Sequence, residues 1–394
     1  MAGCCRPPAA PGQPAGGSTP ADHPPTTRPP TTTRQPTTFG ALIMPVTHVV
    51  LGSGPVGRAV VTALAARGIE PAVVTRSGAA VAGAVSRPAD LADPVQATAA
   101  VAGAAVVFQC AAPAYHRWPE QFPALQARAA DAAATAGALL VVAENLYGYG
   151  PAAGPLTPDL PLTAVTRKGA VRAQMWRDLE AAHLAGRVQV VAGRASDFFG
   201  PGVAGGSVVG DRFFGALVSG KAAAVTGDPD RLHTYTYIAD FGEALVRLSQ
   251  TPQMWGRAWH VPSAPAVSTR VFAERAARLA GTQARLRRLA RWQLRLAGLA
   301  VPTVREMAEM LYEFERDWVV DHSAYAAVLG DHATPLDAAL AATVAATVAS
   351  SPVPPAGRQL RGAGQGRVIG ERRGDHSHRR PGLRDAPAAA RRGH

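Results

Sequence analysis

The stretch Thr47–Gly68, THVVLGSGPVGRAVVTALAARG, constrains this chain more than any other. A short apolar run, His48–Leu51, enters the glycine cluster Gly52-Ser53-Gly54-Pro55-Val56-Gly57 and leaves as an alanine-rich segment ended by Gly68. A G-x-G-x-x-G string carries meaning only where a strand precedes it and a helix follows, and both flanks are present here. Gly52 permits the tight turn, Gly54 lets backbone N–H groups approach a pyrophosphate, and Gly57 lets the helix pack closely on the strand. The helix N-terminus adds partial positive charge. The spacing predicts a dinucleotide site over Gly52, Gly54, Pro55, Val56 and Gly57. The alternative is an ordinary turn between strand and helix.

From Met44 onward the pattern alternates strand and helix. Strands are expected at Ala72–Thr75, near Val81–Val85, and at Ala105–Gln109, Ala138–Ala143 and Val188–Ala192. Between them, helices are expected at 93–102, with Asp93 as N-cap and Pro94 at the first helical position, then at 120–137 and 166–185. Such alternation predicts an α/β fold, a doubly wound parallel sheet with right-handed crossovers and helices on both faces. Ligands in such sheets bind beyond the carboxyl ends of the strands, so chemistry is expected after Leu51, Thr75, Gln109 and Ala143. Past Gly200 the rhythm loosens. Helices are expected at 207–219 and 240–248, with extended segments at 222–225 and 258–261. A mainly helical region follows and includes the Arg-rich stretch Arg285–Leu296.

The chain of 394 residues carries a formal net charge of +12, which invites a nucleic-acid reading. Ten Arg face only Glu371, Asp375 and Asp385 in 352–394, and the Pro/Thr-rich segment 1–43 holds Arg6, Arg28 and Arg34 against Asp22. Only +3 remains for 44–351, so the basicity belongs to the ends, and terminal arginines without interleaved aromatics do not read nucleic acid. Both ends lack bulky apolar residues and are expected to be disordered, a leader at 1–43 and a basic tail at 352–394. Met44 stands just before the first strand, and a start there would yield a conventional protein. Cys4, Cys5 and Cys110 suit neither a disulfide framework nor a zinc site, so no metal is expected. With no secretory or membrane-spanning segment in the sequence, the expected address is the cytoplasm and no membrane partner is expected.

Several ordered motifs together resemble the extended short-chain dehydrogenase/reductases, the NAD-dependent epimerase/dehydratase-like group. They are GSGPVG at 52–57, Asp90-Leu91, CAAP at 110–113, LYGYGP at 146–151, FFGPGV at 198–203 and YTYIADFGEAL at 235–245. The likeness covers roughly 46–348. It implies a Rossmann-type domain over 44–200, partly rejoined by 235–262, and a smaller, mainly helical C-terminal substrate domain over 201–351. It implies that Asp90 meets the adenine amino group with Leu91 beside it, and that Cys110, Ala111, Ala112 and Pro113 line the nicotinamide half. It also implies a small-molecule substrate in the cleft and pairing of two copies through the helix from Thr166.

Cofactor choice rests on the end of the second strand. A carboxylate there would accept from the ribose 2′-OH and repel a 2′-phosphate, but this chain has Thr75 and then Arg76. Arg76 offers a fork for the phosphate and a plane to stack on adenine, so NADP(H) is the expected cofactor, with NAD(H) the alternative.

The catalytic pattern departs from the family. That pattern is a Tyr four residues before a Lys on the helix after the fifth strand, with Ser or Thr at the strand's end. Lys168 matches the lysine, but Ala164 stands four residues before it. Placing Tyr147-Gly148 on the family's Tyr-Gly pair puts Ala143 at the Ser position; placing Tyr149-Gly150 there puts Asn145. Tyr147 and Tyr149 remain as proton donors or as pocket wall, and Tyr115 and His116 form a further acid–base option. Asp197, after the sixth strand, is placed to touch substrate or to hold a turn. Where sugar-nucleotide members carry an arginine that clamps the diphosphate, this chain has His233, with Arg231 close by; a neutral imidazole is a poor substitute for a guanidinium. The expectation is an NAD(P)-dependent oxidoreductase or epimerase on a small carbonyl or sugar-like compound, with a non-standard acid. The alternative is a catalytically silent NADP-binding sensor or partner-binding protein.

Overall fold

The computed structural model describes residues 47–203, 207–300 and 308–350. The expected leader and basic tail lie outside the described residues.

The apolar run after Thr47 forms β1 (His48–Leu51), and the glycine cluster turns it into α1 (Pro55–Ala65). Then come β2 (Ala72–Thr75), β3 (Val85–Pro88), α2 (Pro94–Val101), β4 (Val106–Gln109), α3 (Trp118–Ala136), β5 (Leu139–Glu144), α4 (Arg167–Leu184) and β6 (Val190–Arg194). With β11 (Ala258–His260) these strands form one seven-stranded parallel sheet in the order β11-β6-β5-β4-β1-β2-β3. Side chains alternate across it as the pleat requires. Val49 and Leu51 pack toward α2, α3 and α4 in one apolar cluster, whereas Val50 packs toward α1 and α6 (Ile238–Ser249) in the other.

Capping chemistry sets the helix starts. Asp93 accepts from the Val95 and Gln96 N–H groups at 2.8 and 3.3 Å to open α2, and Thr166 accepts from Gly169 N–H at 3.1 Å to open α4.

Two elements differ from the sequence expectation. The third strand is not the apolar run 81–85, because Gly83 turns there with φ +78°; the strand begins at Val85, which pairs with Ala72. Its Ser86, Arg87 and Pro88 are tolerated because β3 is the sheet edge. The Arg-rich stretch 285–296 is not wholly helical. Its first four residues form β13 (Arg285–Arg288), paired in parallel with β8 (Ala222–Val225), and only then does α8 (Arg291–Ala300) begin.

Beyond the sheet, β7 (Phe198–Phe199) pairs with β10 (Thr236–Tyr237), and β9 (Leu232–His233) with β12 (Val267–Ser268). Here α5 (Asp211–Val218), α7 (Thr269–Leu279) and α10 (Leu336–Ser350) close on Phe199, Phe213, Phe214 and Phe272, with α9 (Ser323–Leu329) between α8 and α10 in the chain. Ahead of α9, residues 308–322 form a strap that runs beside β9, where Trp318 bridges to His233. Its first part, Ala308–Phe314, is a 3₁₀ turn. Phe314 O, at the end of that turn, accepts from Asp228 N–H, and residues 318–321 are hydrogen-bonded to Leu232, Thr234 and Leu156. Among the described residues no helix is long and apolar enough to cross a membrane.

Candidate functional site

The glycine loop closes at the carboxyl end of β1. Gly52 has φ +94°, and a Cβ on it would press 2.8 Å from Ala111 Cα. A Cβ on Gly57 would run into the Gly52 carbonyl, so α1 can start this close to β1 only with glycine there. At Gly54 a Cβ would meet nothing within 4 Å, so this backbone borders open space at the start of a helix. Pro55 and Val56 are the first two residues of that helix and, like Gly54, are partly exposed. Open space bounded by backbone at a helix N-terminus fits a pyrophosphate. Arg58 fixes the loop, donating to Ser53 O and Gly202 O, each at 2.7 Å.

Arg76 is exposed just beyond β2, and Asp90 is exposed just beyond β3. The Asp90 carboxylate accepts from Ala92 N–H at 2.9 Å, and its own N–H donates to Gln96 Oε1 at 3.0 Å; Leu91 is buried. After β4, burial pushes the Cys110 thiol up to about 12, so it is not a thiolate. Gln109 Oε1 accepts from Ala111 N–H at 3.1 Å, Ala112 is exposed, and Pro113 O accepts from Trp118 Nε1 at 3.2 Å. These four residues border the glycine loop through the Ala111–Gly52 contact.

Beyond the turns after β4 and β5, chain-distant groups converge. Lys168, in the first turn of α4, is fully buried with its Nζ 4.5 Å from the centre of the Tyr115 ring. The Tyr115 and Tyr147 phenols lie close enough to influence each other's ionisation, and Trp118 packs against both rings, at 5.0 and 6.1 Å between centres. Burial raises both phenols above the ordinary tyrosine value, and the charges of Glu313 and Asp197 raise them further. Asp197 Oδ2 lies 3.0 Å from His233 Nε2. His233 Nδ1 faces Glu313 O at 3.3 Å, and its ring stacks on Phe314 at 4.5 Å. Glu313 is buried, with Oε1 unpartnered among the described residues; burial and Asp197 push its carboxyl well above the usual range. Glu309 Oε1 reaches Lys168 Nζ at 3.4 Å.

Tyr149, offered by the sequence beside Tyr147, belongs to another network. Its hydroxyl lies 2.7 Å from Arg194 Nη1 and 2.8 Å from His260 Nε2. Burial pushes His260 down to about 4, so its ring is neutral near pH 7. Its Nδ1 faces the Asp321 carbonyl at 2.9 Å and must donate there, which leaves Nε2 to accept from Tyr149. Glu144 joins this network by accepting from Arg194 Nε at 3.0 Å and Arg172 Nη2 at 3.2 Å. Every member is buried, so the network reads as structural.

Lys168, Tyr115, Tyr147, Asp197 and His233 thus form one neighbourhood, and Tyr149 belongs to another. Sequence reasoning missed Glu309 and Glu313. The available signal was two acids four apart in AEMLYEFERDW, flanked by Met310, Leu311, Tyr312 and Phe314.

Among solved structures, the chain is similar to a UDP-N-acetylglucosamine 4-epimerase from Bacillus cereus, with TM-score 0.62 and 15% identity over 78% of this chain and 98% of that one. It is similar to a UDP-glucose 4-epimerase from Thermus thermophilus in complex with NAD, with TM-score 0.61 and 18% identity over 77% and 100%. MoeE5 in complex with UDP-glucose and NAD gives TM-score 0.63 and 22% identity over 77% and 99%. At these identities the likeness is one of fold. No curated protein matches the sequence. Residues 49–260, more than half of the chain and spanning β1 to β11, match the NAD dependent epimerase/dehydratase family, and the chain belongs to that family.

Proposed function

We propose that this protein is an oxidoreductase or epimerase that uses a nicotinamide dinucleotide on a small carbonyl or sugar-like substrate, with Tyr147 as its acid–base group. The observation that carries this reading is the grouping of Tyr147 and Tyr115 beside the buried Lys168, although Ala164 stands four residues before that lysine.

The glycine loop fits a pyrophosphate, so residues 52–57 would hold the cofactor's phosphates and Lys168 its nicotinamide ribose. When bound, the nicotinamide exchanges hydride with the substrate carbon. Tyr147 hydrogen-bonds the substrate oxygen, giving its proton as a carbonyl is reduced and taking it back as an alcohol is oxidised. Tyr115 flanks Tyr147 across the Trp118 ring. Both phenols stay protonated in this buried, carboxylate-flanked site until substrate oxygen develops charge or the lysine ammonium is brought to bear.

Arg76 supports NADP(H) over NAD(H): it is exposed at the end of β2, where no carboxylate stands to meet a ribose 2′-OH. On the substrate side, Asp197 and Glu309 are acidic and His233 is bonded to Asp197, which favours an uncharged substrate over a diphosphate. A cytoplasmic address and pairing of two copies through the α4 face belong to the same reading. The test is turnover of aldehydes, ketones, polyols and sugar nucleotides, followed by NADPH and NADH absorbance. Reduction of neutral carbonyl compounds supports the reading; cofactor binding with no turnover on any of them would favour the silent sensor.

A further inference from the structure

A buried polar atom normally has a hydrogen-bond partner, and one that has none marks a place for a water or a ligand. Glu313 lies in the 3₁₀ turn of the strap and is 2% exposed, yet its Oε1 has no partner among the described residues. Neither has the buried hydroxyl of its neighbour Tyr312. Burial and the like charge of Asp197 hold the Glu313 carboxyl well above its usual range, so at neutral pH it carries a proton that it can donate.

One imidazole stands between Glu313 and Asp197. His233 Nε2 lies 3.0 Å from Asp197 Oδ2, and its Nδ1 faces Glu313 O at 3.3 Å. The ring stacks on Phe314 at 4.5 Å and packs on Tyr235 at 4.8 Å between centres. Both ring nitrogens are thereby engaged, so His233 spaces the two acids and offers a ligand nothing of its own. Asp197 spends Oδ2 on the imidazole; its side chain is 15% exposed, and Oδ1 has no partner among the described residues. Both acids act on the Tyr115 and Tyr147 phenols, which puts them within electrostatic reach of the proposed acid–base group.

A protonated carboxyl donates and a carboxylate only accepts, so the pair complements a hydroxyl, which can accept from one and donate to the other. An anion gives Asp197 nothing to accept, and an ammonium has no lone pair for the Glu313 proton.

We propose that Glu313 determines substrate specificity by donating to a substrate hydroxyl close to the reacting carbonyl, while Asp197 accepts from the same hydroxyl, so that the substrate class is the uncharged hydroxy-carbonyl compounds. This rests on the reading of the protein as a nicotinamide-dependent oxidoreductase or epimerase with Tyr147 at the reacting oxygen.

The test compares cyclohexanone with the hydroxycyclohexanones that carry the hydroxyl one or two carbons from the carbonyl, as substrates of the full chain with NADPH and with NADH. At least one hydroxy ketone should show kcat/KM about tenfold or more above cyclohexanone, because without the hydroxyl two polar groups stay unpaired. Glu313→Gln keeps a donor and an acceptor in the same place and should hold that ratio within about threefold. Glu313→Leu, which keeps the bulk and removes both, should bring it to about one; melting curves check that each variant is folded. A second reading needs no turnover. In difference infrared spectra, the band of a protonated carboxyl should shift when the hydroxy ketone is added with the cofactor, and Glu313→Gln should lack that band. Equal kcat/KM for all three ketones, an unchanged ratio in Glu313→Leu, or a ratio lost equally in both variants would overturn the donor role and leave the functional reading standing. No reduction of any ketone and no infrared shift would overturn both.

Discussion

The carboxylate of Glu309 and the ammonium of Lys168 meet at 3.4 Å although they lie 141 residues apart in the chain. The lysine is positioned by the capped start of α4 and the glutamate by a strap tied to the β9 edge. The two tyrosines after β5 lie in different surroundings: the Tyr147 ring packs on Trp118, and the Tyr149 hydroxyl meets Arg194 and His260.

Tyr147→Phe should lower turnover by about a hundredfold or more while leaving cofactor affinity within about twofold, because only the proton-transferring hydroxyl is removed. Tyr149→Phe should do the reverse. It removes the partner of Arg194 Nη1 and of His260 Nε2 in a buried network and should cost ~1–3 kcal/mol of stability in urea unfolding, with turnover retained. Equal loss of turnover in both variants would contradict the assignment.

Glu313→Gln should stabilise the protein at neutral and alkaline pH. The folded carboxyl is held well above its ordinary value by burial and Asp197, so the folded state binds the extra proton. Its favourable contribution is fully present below the unfolded value, about 4.3, and is lost as pH rises toward the folded value. Melting temperatures of wild type and variant should agree near about pH 4 and diverge in the variant's favour above it. A variant less stable at every pH would mean that Glu313 is ionised and paired.

Arg76→Ala should weaken NADPH by about ten- to a hundredfold, roughly 1.5–3 kcal/mol for a lost charge-assisted contact, and barely change NADH. Added salt should weaken NADPH more than NADH, since the exposed guanidinium is screened. Equal affinities in the unmodified protein would make NAD(H) the cofactor.

Much of this fold was legible because its central strands are short apolar runs bracketed by glycine, and Asp93 and Thr166 sit where helix starts need them. The edges were not legible. β3 is polar because it borders solvent, and its position depends on pairing with Ala72 rather than on its own residues. The strand at Arg285–Arg288 carries three arginines and exists because β8 offers a free edge. In the site, the glycine loop was legible because its residues are local in sequence. The convergence of Tyr115, Tyr147, Lys168, Glu309 and Glu313 depends on chain crossovers that no local pattern records. The separation of Tyr147 from Tyr149 was hidden for the same reason: what divides them is His260 and Arg194, far along the chain.

Dinucleotide binding at residues 52–57 is tested most directly by titrating wild type and Gly54→Asp with NADPH and NADH. A Cβ at Gly54 meets nothing within 4 Å and its φ is −64°, so the variant should keep the wild-type melting temperature. Its carboxylate would occupy the space of the pyrophosphate and repel it. Saturable NADPH binding in wild type, abolished in Gly54→Asp with the fold intact, is the predicted result. No saturable binding in wild type, or equal affinity in the variant, would contradict the account.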